Sequence, residues 1–141
     1  MNITALIPFS AVITIALAHY VSDFMCQTSW MAQNKSKSNK ALLSHVLTYS
    51  TVFFVICYLV ELFFYFVEGG NTLIQNFDDM GLTGIWVVVN GVLHCITDYF
   101  TSRKTSKLFG KDWHRFFEVV GFDQLIHYFC LFYTYTLFFP V

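Results

Sequence analysis

Four long apolar stretches separated by three short polar ones account for nearly the whole chain. They run from about Ile3 to Cys26, Ala41 to Val67, Leu82 to Ser102 and Phe116 to Pro140. Each is long enough to cross about 30 Å of hydrocarbon as a helix. The pattern predicts an all-α integral membrane protein, a single domain over residues 1–141 with four transmembrane helices arranged as two hairpins. Between them lie a polar, basic Gln27 to Lys40 linker, an acidic Glu68 to Gly81 linker with Gly69-Gly70 and Asp78-Asp79, and a basic Arg103 to Arg115 linker. Lys and Arg gather on the cytoplasmic side of short loops, so both basic linkers are expected inside the cell, with both termini and the acidic linker outside. The first stretch lacks a basic leader and a small-residue cleavage site, and it carries His19 and Asp23. It is therefore expected to be a retained span and not a signal peptide.

The apolar stretches are interrupted by ionisable residues in a recurring layout: His19-x3-Asp23, His45, His94-x3-Asp98 and Asp123-x3-His127. Such groups are costly inside a membrane and usually face a bundle interior, which makes each a functional candidate. Four-residue spacing puts both members of a pair on one helix face, the arrangement by which H-E-x-x-H helices offer two ligands to one metal. In the expected topology all seven fall within roughly 5 to 17 Å of the cytoplasmic helix ends. Spans one and three descend and read His then Asp, whereas span four ascends and reads Asp then His. Every pair thus places its imidazole deeper and its carboxylate nearer the cytoplasm. A weak internal repeat supports the symmetry: Ala18 to Phe24 and Leu93 to Tyr99 share the pattern H-x-aliphatic-hydroxyl-D-aromatic. Two parallel hairpins would be related by an axis along the membrane normal, although the partner helices differ, His45 standing alone where Asp123 and His127 form a pair.

Composition strengthens the membrane reading. With 56% hydrophobic, 20% aromatic and 12% charged residues, the chain is too apolar for a soluble domain of 141 residues. All its basic residues fall in two windows, Lys35, Lys37 and Lys40, then Arg103, Lys104, Lys107, Lys111 and Arg115. The first reads as a topology signal, and no nucleic-acid patch is indicated. Trp30 and Trp113 are expected near the cytoplasmic headgroups and Trp86 near the outer ones. The cysteines, Cys26, Cys57, Cys95 and Cys130, are scattered singly, which excludes a zinc ribbon or a disulfide framework.

The seven residues offer two metal arrangements. In one, His19, His94 and His127, with His45, bind a single ion while Asp23, Asp98 and Asp123 orient them or act as bases. His94→Ala would then abolish metal binding, whereas Asp98→Asn would keep much of the metal. In the other, two ions about 3.5 to 4 Å apart share a bridging carboxylate. Mixed nitrogen and oxygen ligation suits zinc first, then iron(II) or manganese. Such a site facing the cytoplasmic leaflet suits hydrolysis of a lipid or phosphorylated substrate, with Arg103, Lys104, Lys107, Lys111 and Arg115 holding an anionic headgroup. Asn90 and Gln27, one turn from the cluster on the same faces, are candidates to support its ligands. Glu61 lies apart, towards the outer side, and His114 sits in the basic linker. The competing structural reading is a hydrogen-bonded network that specifies helix packing. Two other functions compete with hydrolysis: a non-enzymatic accessory protein that oligomerises or contacts host membrane proteins, and a cation or proton transporter.

The run Ala18-His19-x3-Asp23-Phe24-x2-Gln27-Thr28-x-Trp30-Met31-Ala32-x-Asn34-Lys35, then Lys40-Ala41-Leu42-Leu43-x-His45, His94-x3-Asp98 and Asp123-Gln124-x2-His127, resembles a family. It is similar to small integral-membrane proteins of bacteria and phages known as a domain of unknown function. The resemblance implies four spans in a bacterial or bacteriophage setting and marks the same seven residues, and it supplies no activity; the bundle is expected in the bacterial inner membrane. A more distant similarity, in style only, is to membrane-bound metal-dependent hydrolases. The long acidic linker is not part of the family pattern.

Overall fold

A computed structural model describes residues 9–67 and 80–139, without the side chains of 64, 65 and 80. The beginning of the expected first span, most of the acidic linker with its Gly69-Gly70 and Asp78-Asp79 pairs, and the end of the fourth span lie outside the described residues. All regular structure among the described residues is helical. Helix α1 spans Phe9–Tyr20 and continues as one π turn, Val21–Met25. A short α2 (Ser29–Asn34) follows, then α3 (Asn39–Val67), α4 (Met80–Leu108) and α5 (Trp113–Phe138).

Periodicity explains which faces turn inward. On α3 the buried residues recur one turn apart at Leu42, His45, Val46, Tyr49, Phe53 and Cys57, and α4 repeats the pattern at Trp86, Asn90, His94, Asp98 and Ser102. The intervening positions are apolar and exposed, including Leu43, Leu47, Leu59, Val88, Val92 and Ile96. Carboxylates and imidazoles inside and aliphatic side chains outside invert the layout of a soluble domain.

By length and composition two helical segments can cross a membrane, Asn39–Phe63 and Gly81–Leu108, and only 22% and 39% of their most apolar windows are buried. Phe9–Met25 is a shorter apolar helix. Helix α5 carries Arg115, Glu118 and Asp123 in its first three turns. The structure thus singles out two spanning helices where the sequence pattern gives four.

Two linkers differ from expectation. The first contains α2, whose N-cap Thr28 accepts a hydrogen bond from the Met31 amide at 3.2 Å. Nearly half of the second, Arg103 to Leu108, is the end of α4: Arg and Lys are good helix formers whose stems lie along apolar surface, so the helix runs on to Leu108. The turn then closes through Gly110 at φ 73°, and Asp112 caps α5 by accepting from the Arg115 amide at 3.0 Å.

Helix α1 packs on α3, α3 on α4 and α4 on α5, with a lighter contact closing the ring between α1 and α5. Contacts join late α1, early α3, late α4 and early α5, so neighbouring helices in the ring run in alternating directions. The far half of the bundle is aromatic. Trp86 packs against Phe53, Tyr135 and Phe139, with ring centroids 5.5 to 6.0 Å apart. Its indole N–H donates to Thr134 Oγ1 at 2.9 Å, and Asn90 Nδ2 donates to the same oxygen at 2.9 Å.

Near the middle, α3 and α4 approach closely at Gly91. A Cβ there would stand 2.5 Å from Ser50 Oγ. Gly91→Leu should wedge the helices apart and destabilise the folded protein by about 1–3 kcal/mol. The Gly91→Ala, Ser50→Ala double variant should recover most of that, as read by denaturant unfolding in detergent.

Candidate metal centre

Each ring helix contributes to one buried cluster. The π turn that ends α1 carries Asp23, one turn beyond His19. Ser22 Oγ donates to the Ala18 carbonyl at 2.7 Å, competing with the α-helical ladder, and Cys26 N donates to Val21 O at 3.0 Å in the wider π pattern. Helix α3 supplies His45 in its second turn, α4 supplies His94 and Asp98, and α5 supplies Asp123 and His127. Six of the seven are buried and Asp123 is partly so.

The largest group is Asp23, His45, His94 and Asp98, whose ligand atoms all lie within 4.8 Å of one another. His45 Nε2 stands 3.1 Å from His94 Nε2, 3.2 Å from Asp23 Oδ1 and 3.1 Å from Asp98 Oδ2. His94 Nε2 stands 3.6 Å from Asp23 Oδ1 and 3.7 Å from Asp98 Oδ2. A tetrahedral ion with nitrogen and oxygen bonds of about 2.0–2.1 Å has ligand-to-ligand edges of about 3.3 Å. Five of the six edges therefore bracket the tetrahedral value. This grouping differs from the expected three-imidazole set of His19, His94 and His127. One turn of α4 brings Asp98 as close to the centre as His94, and Asp23 reaches it from the π turn, so carboxylates stand among the ligand atoms and not only behind them. Two further groups share members with the first: His19, Asp23 and His127, and Asp98, Asp123 and His127. The buried His/Asp cluster can hold a metal ion.

The partners of the individual side chains separate their roles. Gln124 Nε2 donates to Asp23 Oδ2 at 3.2 Å and to Asp123 Oδ2 at 3.0 Å, which orients its amide. Gln124 Oε1 then accepts from His19 Nε2 at 3.1 Å, leaving His19 Nδ1 to accept from the Tyr49 hydroxyl at 3.2 Å. His19 is thus satisfied at both nitrogens. His127 is the opposite case: it is 3% exposed, and neither ring nitrogen has a hydrogen-bond partner. Its Nδ1 lies 3.6 Å from Asp123 Oδ2. A buried imidazole with two unpartnered nitrogens has a lone pair available for an ion. Asp123 also accepts from Thr101 Oγ1 at 2.5 Å.

A cavity of about 610 Å³ opens beside the cluster. Asp23, Asp98, Asp123 and Gln124 line it, and no imidazole of the cluster does. Its other walls are Phe24, Phe109, Phe116 and Val120, the hydroxyls of Ser36, Thr101, Ser102, Thr105 and Ser106, and the ammonium groups of Lys35 and Lys37.

The chain belongs to the family described as Protein of unknown function (DUF3307). It matches over residues 11–141, which include all seven cluster residues. No curated protein and no solved structure matches it.

Within this family member, the outlying candidates take other places. Gln27 lines the cavity, with Oε1 buried and unpartnered. Asn90 bonds the Trp86 carbonyl and Thr134, so it ties α4 to α5 and does not brace His94. Of the expected headgroup residues, none lines the cavity. Arg103 bonds the Tyr99 carbonyl and Asn39 and lies 3.6 Å over the Tyr99 ring, Arg115 pairs with Asp112 at 3.5 Å, and Lys104, Lys107 and Lys111 are exposed. Glu61 lies outside the cluster, and His114 pairs with Glu118 at 3.2 Å on the surface.

Three contributors were not legible as site residues. Tyr49 stacks on His94 with centroids 4.0 Å apart and planes 4° apart, while bonding His19. Its position one turn after His45 was the available signal. Gln124 stood beside Asp123 within the family motif. Lys35 donates to Asp98 Oδ2 at 2.7 Å and stands 3.3 Å from His45 Nε2. Nothing in its spacing separated it from its neighbours in the basic run.

Burial works against the Lys35 charge, but the Asp98 carboxylate, and after it Asp23, override that and raise its pKa above 10.5. A lysine raised on folding contributes stability that is fully present below its unfolded value and is lost as pH climbs through the folded one. Lys35→Met should therefore lessen the loss of stability above pH 10.5, as followed by alkaline unfolding curves. Gln124→Glu would aim a carboxylate at two others. The metal-free protein should lose about 1–3 kcal/mol, with part restored by added zinc, as measured by thermal unfolding.

Proposed function

We propose that this chain is a four-span membrane metalloprotein that hydrolyses a lipid or phosphorylated substrate at the cytoplasmic leaflet. The observation that carries the reading is the near-tetrahedral spacing of His45 Nε2, His94 Nε2, Asp23 Oδ1 and Asp98 Oδ2 beside a cavity lined by carboxylates. Zinc fits the mixed donor set best, with iron(II) or manganese next. The outward apolar faces of all the ring helices support a bundle immersed in lipid, with α1 and α5 crossing beside α3 and α4. Both basic runs flank the cluster end of the bundle, which favours that end as cytoplasmic and the termini as external. With the bacterial or phage setting that the resemblance implies, we read the membrane as the bacterial inner membrane.

A bound divalent ion would polarise a phosphoryl oxygen and supply a nucleophile near neutral pH. The chain's own groups do the rest. Asp123 lines the cavity outside the four-atom group, held by Thr101 and Gln124, where it can accept a proton from an attacking water. Phe109, Phe116 and Val120 offer an apolar wall for the remainder of an amphipathic substrate. The aromatic layer around Trp86 closes the bundle beyond the cluster, which favours chemistry over passage of ions.

The test is phosphate release from phosphatidic acid in proteoliposomes and from p-nitrophenyl phosphate in detergent, with the zinc-loaded protein. Asp123→Asn should keep its metal and lose about 100-fold or more in rate. Zinc-loaded wild type that releases phosphate from neither substrate, or an undiminished rate in Asp123→Asn, would remove the hydrolytic reading.

A further inference from the structure

The Lys35 ammonium contacts two of the four atoms that form the tetrahedral group. It lies 2.7 Å from Asp98 Oδ2 and 3.3 Å from His45 Nε2. An ion bonded to Asp98 Oδ2 at about 2.1 Å would lie no more than about 4.8 Å from this nitrogen. Two positive charges on the ion and one on the ammonium repel strongly at that separation away from bulk water. The Asp98 Oδ2 that accepts from the ammonium, and the His45 Nε2 beside it, are also atoms that a metal would take.

Lys35 has somewhere to go. It lines the cavity together with Lys37, and its four-carbon stem is flexible. The charge there is finely balanced: three lining carboxylates against two ammonium groups leave a formal charge of −1, and a divalent ion turns it to +1. Without metal the cavity repels an anion, and with metal it attracts one.

We propose that Lys35 is a tethered stand-in cation that neutralises the cluster until a divalent ion displaces it into the cavity, where it joins Lys37 in binding the phosphate group of an anionic ligand. This rests on the metal-binding reading above and adds the order of events: phosphate binds only after metal, and through the lysine that the metal released. No covalent bond of the chain is made or broken in the exchange: the Lys35 contacts with Asp98 and His45 give way to metal–ligand bonds.

Zinc affinity, measured by competition with a chromophoric chelator, and phosphate binding, measured by calorimetry on zinc-loaded and zinc-free protein, test it together. Dodecyl phosphate and inorganic phosphate serve as separate probes, the first reporting a lipid-like ligand and the second a free anion. Lys35→Met should bind zinc about tenfold or more tightly, because a competing charge is gone, and should bind either phosphate probe about tenfold or more weakly. Lys37→Met, on an exposed lysine that touches no ligand atom, should leave zinc affinity unchanged and weaken phosphate binding alone. Lys35→Arg should restore the wild-type pattern in part. Weaker zinc binding in Lys35→Met, or equal phosphate binding with and without zinc, would overturn the proposal. Wild type that takes up no zinc would instead overturn the metal reading on which it rests, and the exchange with it. Preference for dodecyl phosphate would assign the ligand to the lipid phase, and equal binding of the two probes would assign it to the aqueous one.

Discussion

Three carboxylates and four imidazoles are enclosed in a bundle whose outer surface is aliphatic and aromatic, and the rest of the structure is arranged around balancing that charge. An unpaired carboxylate in such surroundings is strongly unfavourable, so each needs a cation or several hydrogen-bond donors. Gln124 gives its two N–H groups to Asp23 and Asp123, Thr101 gives its hydroxyl to Asp123, and Lys35 gives its ammonium to Asp98. These donors come from two helices of the bundle, α4 and α5, and from the end of α2, which ties the short linker helix to the core. Even so, Asp23 Oδ1, both nitrogens of His127 and the Nδ1 atoms of His45 and His94 have no hydrogen-bond partner. Of these, Asp23 Oδ1 belongs to the four-atom group, and an ion held there would give it the partner it lacks.

The two halves of the bundle divide the labour. Around Trp86 the packing is aromatic, and one small polar knot, Asn90 with Thr134, registers α4 against α5. Around His94 the packing is polar, and Tyr49 joins the halves by stacking on His94 and bonding His19. The close approach of α3 and α4 at Gly91 and Ser50 lies one turn from His94 and holds His45 and His94 at their short separation. Aromatic rigidity on one side thus supports ligand geometry on the other.

Much of this was written in residue spacing. The i, i+4 pairs and the reversal of His and Asp order on the fourth stretch indicated one shared cluster, because helix geometry converts spacing into a common face and chain direction into a common depth. All seven of those residues do meet. Spacing did not indicate which atoms are nearest, since that depends on helix rotation and on the π turn at Asp23, a feature set by the Ser22 hydroxyl and not by hydrophobic pattern. Nor did it distinguish Lys35 from Lys37 or Lys40, because the position of a linker lysine follows from how α2 folds back. Charge marks the second basic run as a linker, whereas Lys and Arg readily extend α4 to Leu108.

On this account His45, His94, Asp23 and Asp98 surround one ion. X-ray absorption at the zinc edge, combined with elemental analysis of detergent-purified protein, tests it most directly, with His94→Ala and the surface variant His114→Ala alongside. The structure predicts about one zinc per tetrahedral group, bonded to two imidazoles and two oxygens at about 2.0–2.1 Å, lost in His94→Ala and kept in His114→Ala. Folded protein that remains metal-free after zinc is added back, or zinc that survives His94→Ala, would contradict it and leave the cluster as a polar network that fixes helix packing.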